Sequence, residues 1–291
     1  MITRRLKDFL ASKLMLLATI FSGLVVFIVV LVLFQKSMPL LTTQPLTELL
    51  FSSLWYPWKG EFGFYAFIMG TLWVTILAMT LAVPPSLLMS LYLAEYAPIK
   101  IRGIIKPMVD LLAGIPSVVY GLWGVIFLVP LVRDYVAPIA GVTTTGYTVL
   151  SGGIVLAVMV FPTIISISDE VIGASPQEAR QASIALGATK WQTVKYVVMR
   201  STLPGIIAAI ILGFGRAFGE TMAVLMVVGN VAKVPSSIFD PAYPLTALIA
   251  NNYGEMMSIP LYDSGLMLAA LFLLLTVLLF NIVAGIMLAG I

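Results

Sequence analysis

Arg216 and Glu220 stand four residues apart inside an otherwise apolar stretch that runs from Pro204 to Val228. On an α-helix that spacing puts both side chains on one face. Counted from Pro204, Arg216 lies about 18 Å along the helix, near the middle of a hydrocarbon layer about 30 Å thick. A charge at that depth costs about 2.5–3.5 kcal/mol on insertion scales, so something must offset it. Two chemistries fit. The pair can neutralise itself and help helices pack. Alternatively, the face lines a water-filled path in which the guanidinium fork of Arg216 receives carboxylate or phosphate oxygens in bidentate fashion. In the second reading Glu220 holds Arg216 in position and weakens its grip enough for release, and Thr221 extends the same polar stretch. Gly215 and Gly219 flank the charges at a spacing that lets a neighbouring helix approach closely.

An earlier apolar tract adds Asp110, then Gly114-Ile115-Pro116-Ser117 and Tyr120. Glycine and proline within a span mark an unwound or kinked segment that lines a cavity. Asp110 falls near the edge of that span, where it is interfacial. Ser117 and Tyr120 lie deeper, where their hydroxyls can donate to an anion.

Other chemistries are excluded by composition. The chain has no histidine and no cysteine, so histidine relays, histidine–metal sites, thiolate sites and disulfides are absent. No acidic cluster suggests a metal. No Gly-x-x-x-x-Gly-Lys-Ser/Thr loop is present to cradle nucleotide phosphates. No enzyme activity, bound cofactor or nucleic-acid partner is expected of this chain.

The elements that must position the charges are membrane helices. Hydrophobic residues make up 60% of the 291 residues and charged residues 10%, against about 45–50% and about 25% in soluble domains. Apolar runs long enough to span are expected at Leu14–Phe34, Phe64–Leu93 (kinked or broken near Pro84 and Pro85), Val109–Val132, Val149–Ile167, Pro204–Val228 and Gly265–Leu288. The fold class is therefore an all-α integral membrane protein with about six transmembrane helices. The first span follows Arg4, Arg5, Lys7 and Lys13. It is too long for a signal-peptide core and reads as a retained anchor. Residues 1–63 form an N-terminal tail, first helix and outer loop, and residues 64–288 the core domain.

Basic residues orient the chain. The N-terminal tail and the second and fourth loops hold eleven lysines and arginines, against four in the other loops. Those three segments and the C-terminus are expected on the cytoplasmic side, with the remaining loops outside. Trp55-Tyr56-Pro57-Trp58 in the first outer loop is expected to anchor at headgroups or to dock an external partner.

The fourth loop, 173–203, is patterned. Ser175-Pro176-Gln177-Glu178 and Thr189-Lys190-Trp191-Gln192 both read as capping boxes. Ala179, Ala182 and Leu186 recur on one face, Gly187 suits a left-handed C-cap, and Trp191, Val194 and Val198 continue an apolar face. Two short amphipathic helices joined by a glycine turn are expected. They either lie on the membrane surface or dock a cytoplasmic protein.

Gln181-Ala182-Ser183-Ile184-Ala185-Leu186-Gly187-Ala188, with Leu203-Pro204-Gly205 downstream, resembles the coupling loop of type I ABC importer permeases. The family's leading glutamate aligns with Gln181, with Glu178 one turn earlier, and a common proline aligns with Arg200. Gly215-Arg216-Ala217-Phe218-Gly219-Glu220-Thr221-Met222-Ala223-Val224, ending at Gly229-Asn230, resembles the signature of phosphate importer permeases. So does Leu112–Gly121. The Thr-Met-Ala-Val ending is similar to that of PstC-type subunits. The resemblance covers residues 64–288. It implies a type I permease fold and a phosphate path at Arg216 and Glu220 shared with a PstA-type sister permease. It also implies a PstB-type ATPase dimer that uses ATP and docks on Glu178, Gln181, Ala182, Gly187 and Ala188. A PstS-type external binding protein would deliver phosphate, and the bacterial or archaeal cytoplasmic membrane would be the location. A permease for another oxyanion, such as sulfate or molybdate, and an ion-coupled transporter are the alternatives.

Overall fold

The computed structural model describes residues 2–255 and 258–289, with side chains for 9–255 and 258–287. The side chains of Arg4, Arg5 and Lys7 lie outside the described residues. In chain order the elements are α1 (Ile2–Thr43), α2 (Leu46–Phe51), a two-residue hairpin of β1 (Trp55–Tyr56) and β2 (Glu61–Phe62), and α3 (Tyr65–Tyr96). Then follow α4 (Ile99–Ala113), α5 (Ser117–Ile139), α6 (Val149–Gly173), α7 (Gln177–Ala185) and α8 (Lys190–Phe218). The chain closes with α9 (Met222–Val227), α10 (Leu245–Asn252) and α11 (Tyr262–Ala289). Among the described residues, six helices are long and apolar enough to cross a membrane: α1, α3, α5, α6, α8 and α11.

Three expectations are corrected here. The second span stays helical through Pro84 and Pro85, so the break expected there as one possibility does not occur. Its buried stripe of Ala78, Ala82, Ser86 and Ser90 repeats every four residues, and small residues at that spacing let two helices lie close. Opposite it, Gly152 and Gly153 of α6 leave room for Val74 and Leu77. Packing along the whole length keeps the rod continuous despite the two missing N–H groups. The third span is displaced towards the C-terminus. A separate helix, α4, ends at Gly114, and the span begins at Ser117. Pro116 is the cause, because proline cannot donate the helical bond and forces its predecessor out of the helical region. The third correction concerns the outer loop of residues 35–63. There α1 runs on to Thr43, and the hairpin turns Trp55 inward. Its ring lies 4.9 Å from that of Phe67 and 6.1 Å from that of Tyr262. Trp55 is therefore half-buried against the core, whereas Trp58 is 77% exposed.

Two ends of the molecule gather the loops. At one, Leu40, Leu49 and Phe62 share a core with Phe64, Phe67, Leu245, Leu248 and Tyr262, so residues 36–63 pack into the same body as the rest. There Val149 and Leu150 donate backbone hydrogen bonds to Asp240 and Ile238. At the opposite end Asp169, only 3% exposed, accepts from Arg102 at 3.0 Å and contacts Lys106 at 3.5 Å. That joins α4 to α6. Between the two ends α3, α6, α8 and α9 share a core of Val74, Ala78, Leu156, Val160, Ala217 and Val224.

Two outcomes follow from the loop end opposite the basic cluster. Gly146 has φ +85°, and a Cβ there would run into the Val129 carbonyl. Gly146→Ala is expected to cost about 1–3 kcal/mol, read as a lower thermal midpoint in detergent. Asp240 accepts from the hydroxyl and amide of Ser236 and the amide of Ser237. The Ser236 hydroxyl foremost, with those amides and Lys233, holds its carboxyl below the usual carboxylate range. A depressed carboxylate stabilises above its unfolded pKa and loses that contribution as pH falls through the folded value. Protection of the Ser236 and Ser237 amides from hydrogen exchange, relative to the intrinsic rate at each pH, should hold at neutral pH and fall only below about pH 4.

Candidate functional site

The Arg216–Glu220 pair does not form. Helix α8 ends at Phe218 and α9 begins at Met222; Gly219 to Thr221 lie between them, and the Glu220 amide bonds three residues back to the Ala217 carbonyl, so the regular helix is interrupted there. The four-residue helical relation therefore fails, since glycine is a weak helix former at which a turn can tighten. Arg216 instead donates from Nη1 to Thr163 Oγ1 of α6 at 2.9 Å. Glu220 Oε1 accepts from the Ala223 amide at 3.3 Å and so caps α9. The freed Glu220 carbonyl accepts from Thr246 Oγ1 of α10 at 2.8 Å. Backbone groups released at membrane depth need such partners.

Arg216 is exposed in the isolated chain. Tyr120 is buried on α5 and carries a hydroxyl. That hydroxyl is engaged: it donates to the Leu112 carbonyl at 2.8 Å and ties the end of α4 to α5. Tyr120 therefore braces the junction of α4 and α5, and its proton is engaged there. Ser117 is half-buried at the start of α5. Asp110 is exposed on α4, outside the spans. Among the described residues no hydrogen bond or ion pair joins either to Arg216. Thr221 is half-buried, its hydroxyl 3.4 Å from the Gly219 carbonyl. Glu220 lines a cavity of about 10 Å³, the size of one water, with Thr71, Thr75 and Thr246. Gly215 and Gly219 lie towards Phe280 and Val277 of α11, but a Cβ at either would meet them only at ordinary van der Waals distance, so the close approach expected from their spacing does not depend on glycine here.

The patterned loop is a helical hairpin of α7 and the start of α8. Thr189 and Gln192 form the capping box in full. The first box does not form: Pro176 takes the cap position, and Ser175 turns to the Ser201 hydroxyl at 3.3 Å. Gly187 has φ +86° with open space around it, as the left-handed cap requires. Ser183 and Thr193 join the two arms at 3.0 Å. Glu178, Gln181 and Ala182 are exposed and Ala188 half-buried, and Leu186 is 89% exposed. The hairpin's second arm and the helix carrying Arg216 are one element. Lys190 and Arg216 are 26 residues apart on it, or about 39 Å.

Sequence reasoning missed Thr163, Glu95 and Asp169, whose roles depend on partners far along the chain. Asp169 alone left a signal, as a carboxylate at the end of an apolar run facing a basic loop.

This architecture defines a multi-pass membrane component of a transport system. Residues 86–291 match the family described as binding-protein-dependent transport system inner membrane component, and the chain belongs to that family. It is 40% identical over 228 residues to the "Probable ABC transporter permease protein YqgH" of Bacillus subtilis, covering 76% of this chain and 72% of that protein. It is 36% identical over 252 residues to the "Phosphate transport system permease protein PstC" of Xylella fastidiosa, covering 82% and 77%. A "Probable phosphate transport system permease protein PstC" of Methanocaldococcus jannaschii is 32% identical over 286 residues, covering 91% and 89%. A chain of the inward-facing MetNI methionine ABC transporter superposes with a TM-score of 0.54 at 20% identity, over 76% of this chain and 92% of that one. The fold is that of type I ABC importer permeases.

Glu220 is expected to act on stability as a cap rather than as a charge. Glu220→Gln, which keeps the acceptor, should leave the thermal midpoint unchanged, and Glu220→Ala should cost about 1 kcal/mol.

Proposed function

We propose that the chain is a transmembrane permease subunit of an ATP-driven phosphate importer and forms the translocation path with a sister permease. The observation that carries this reading is Arg216. It is an exposed guanidinium beside a helix break, at the far end of a continuous helix that begins in the hairpin. The relatives named as phosphate permeases support phosphate as the substrate.

In this reading the basic end of the molecule is cytoplasmic, as is the N-terminus. The PstB-type ATPase dimer uses ATP and receives the hairpin through Glu178, Gln181, Ala182, Gly187 and Ala188. The PstS-type binding protein delivers phosphate at the other end. Closure of the ATPase swings the hairpin. Because α8 is one continuous helix, that displacement is carried along it to Arg216. The PstA-type sister permease covers the open face of Arg216. Thr163, a neutral partner, orients the guanidinium without neutralising it, which leaves its charge for the anion. Ser117, Tyr120, Thr221 and Glu220 shape the surroundings. Asp110, on α4, stands apart from the path.

The test is ATP-dependent uptake in proteoliposomes that contain this chain, its sister permease and the ATPase, with the binding protein added. Phosphate should be preferred over sulfate and molybdate. Arg216→Ala should lower uptake by about 30-fold or more while the complex still assembles, because a charged group loses its partner. Normal uptake by the assembled variant would remove Arg216 from the path. Gly187→Val should keep membrane insertion but lose coupled ATP hydrolysis, since valine resists a positive φ. Uptake driven by an ion gradient without ATP would favour an ion-coupled transporter.

A further inference from the structure

The hairpin has a second connection to the membrane helices, made by side chains alone. Arg180 of α7 places Nη2 2.8 Å from Glu95 Oε1, at the end of α3. The same Nη2 donates to the Ile172 carbonyl at the end of α6, also at 2.8 Å. The two side chains are 17% and 9% exposed. Beside them, Lys190 on the other arm of the hairpin sits 4.7 Å from the centre of the Tyr96 ring. Each arm therefore grips one of two consecutive residues in the last turn of α3.

The buried pair is incompletely bonded. The 2.8 Å approach lacks hydrogen-bond alignment, and Glu95 Oε1 and Arg180 Nε have no hydrogen-bond partner. A buried ion pair short of partners is a poor source of stability, because desolvation offsets its attraction. What such a pair does supply is registry between the elements that carry it. Here those elements are the hairpin and α3. At its other end α3 contributes Thr71 and Thr75 to the water-sized cavity that holds Glu220. Thr75 and Glu95 are 20 residues apart on one helix, or about 30 Å. Two rods thus leave the hairpin, α8 towards Arg216 and α3 towards Glu220. Only α8 is covalently continuous with it.

We propose that Glu95–Arg180, with Lys190 on Tyr96, is a coupling latch that makes α3 follow the hairpin, so that both sides of the helix break move together. The proposal rests on the reading of the chain as an ATP-driven permease. Glu95, Arg180 and Lys190 are positioning residues and touch no substrate.

The experiment measures ATP hydrolysed per phosphate imported by the reconstituted complex, with retention of the ATPase subunit scored in parallel. Glu95→Gln should raise that ratio by about threefold or more while the ATPase still co-purifies, because coupling elements shift coupling by this order. Lys190→Gln, at an exposed residue whose loss does not threaten folding, should raise it about twofold, and Lys190→Arg should restore it. A purely structural role lowers hydrolysis and import together at a constant ratio, and that result overturns the latch. Should Glu95→Gln fail to assemble, Lys190→Gln decides alone, and an unchanged ratio again overturns it. A wild-type complex that imports no oxyanion with ATP overturns the permease reading instead. If the wild type prefers another oxyanion, the ratio is read with that anion.

Discussion

Hydrocarbon offers no hydrogen bonds, so each peptide group at membrane depth must find its partner inside the protein. The rest of this structure follows from that constraint. Where the chain crosses it is helical, and the helices pack through small residues because lipid supplies no hydrophobic drive between them. The stripe of Ala78, Ala82, Ser86 and Ser90 in α3, with Gly152, Gly153 and Gly213 in α6 and α8, serves that purpose. A helix can stop between the two ends only if the freed groups are met. At Gly219 to Thr221 they are met, by Thr246 on one side and by the Glu220 carboxylate on the other. The break beside Arg216 is thus held by α10, an element of the loop end far from the hairpin.

That arrangement divides the molecule into rigid rods and a few joints. Helix α8 runs from Lys190 to Phe218 and α3 from Tyr65 to Tyr96. Both begin or end at the hairpin, and both reach the neighbourhood of the break. A packed helix transmits displacement along its axis with little loss, since interiors are dense and change between discrete arrangements. Coupling of an event at the hairpin to a site about 39 Å away then needs no chain of individual contacts.

Much of this was legible in the sequence, where the signal is local. The capping box at Thr189 and Gln192, the left-handed Gly187 and the six apolar runs all depend on residues within a few positions of each other. What failed depended on termination or on distant partners. The apolar tract 204–228 reads as one helix because Gly219 leaves no hydropathic trace, and so Arg216 and Glu220 appeared as a pair. The third span was placed too early because α4 is itself largely apolar, and only Pro116 separates it from α5. Trp55 faces the core because Phe62, Phe67 and Tyr262 come to it from other elements. Thr163, Glu95 and Asp169 acquire their roles from residues 53, 85 and 67 positions away.

The separation of Arg216 from Glu220 bears directly on the proposed transport. A salt-bridged guanidinium already has its charge compensated, and an anion would have to displace the carboxylate to bind. A guanidinium held by the Thr163 hydroxyl keeps a net positive charge, which at membrane depth is costly until an anion arrives. That cost favours occupancy. It also limits retention, because one arginine oriented by one neutral hydroxyl makes few bonds to lose when the helices shift. A site built from an arginine enclosed by several fixed donors would bind more tightly and release more slowly. If an external binding protein delivers the anion, as proposed, tight binding in the permease's own path is unnecessary, and turnover is better served by an anion site that is easily vacated.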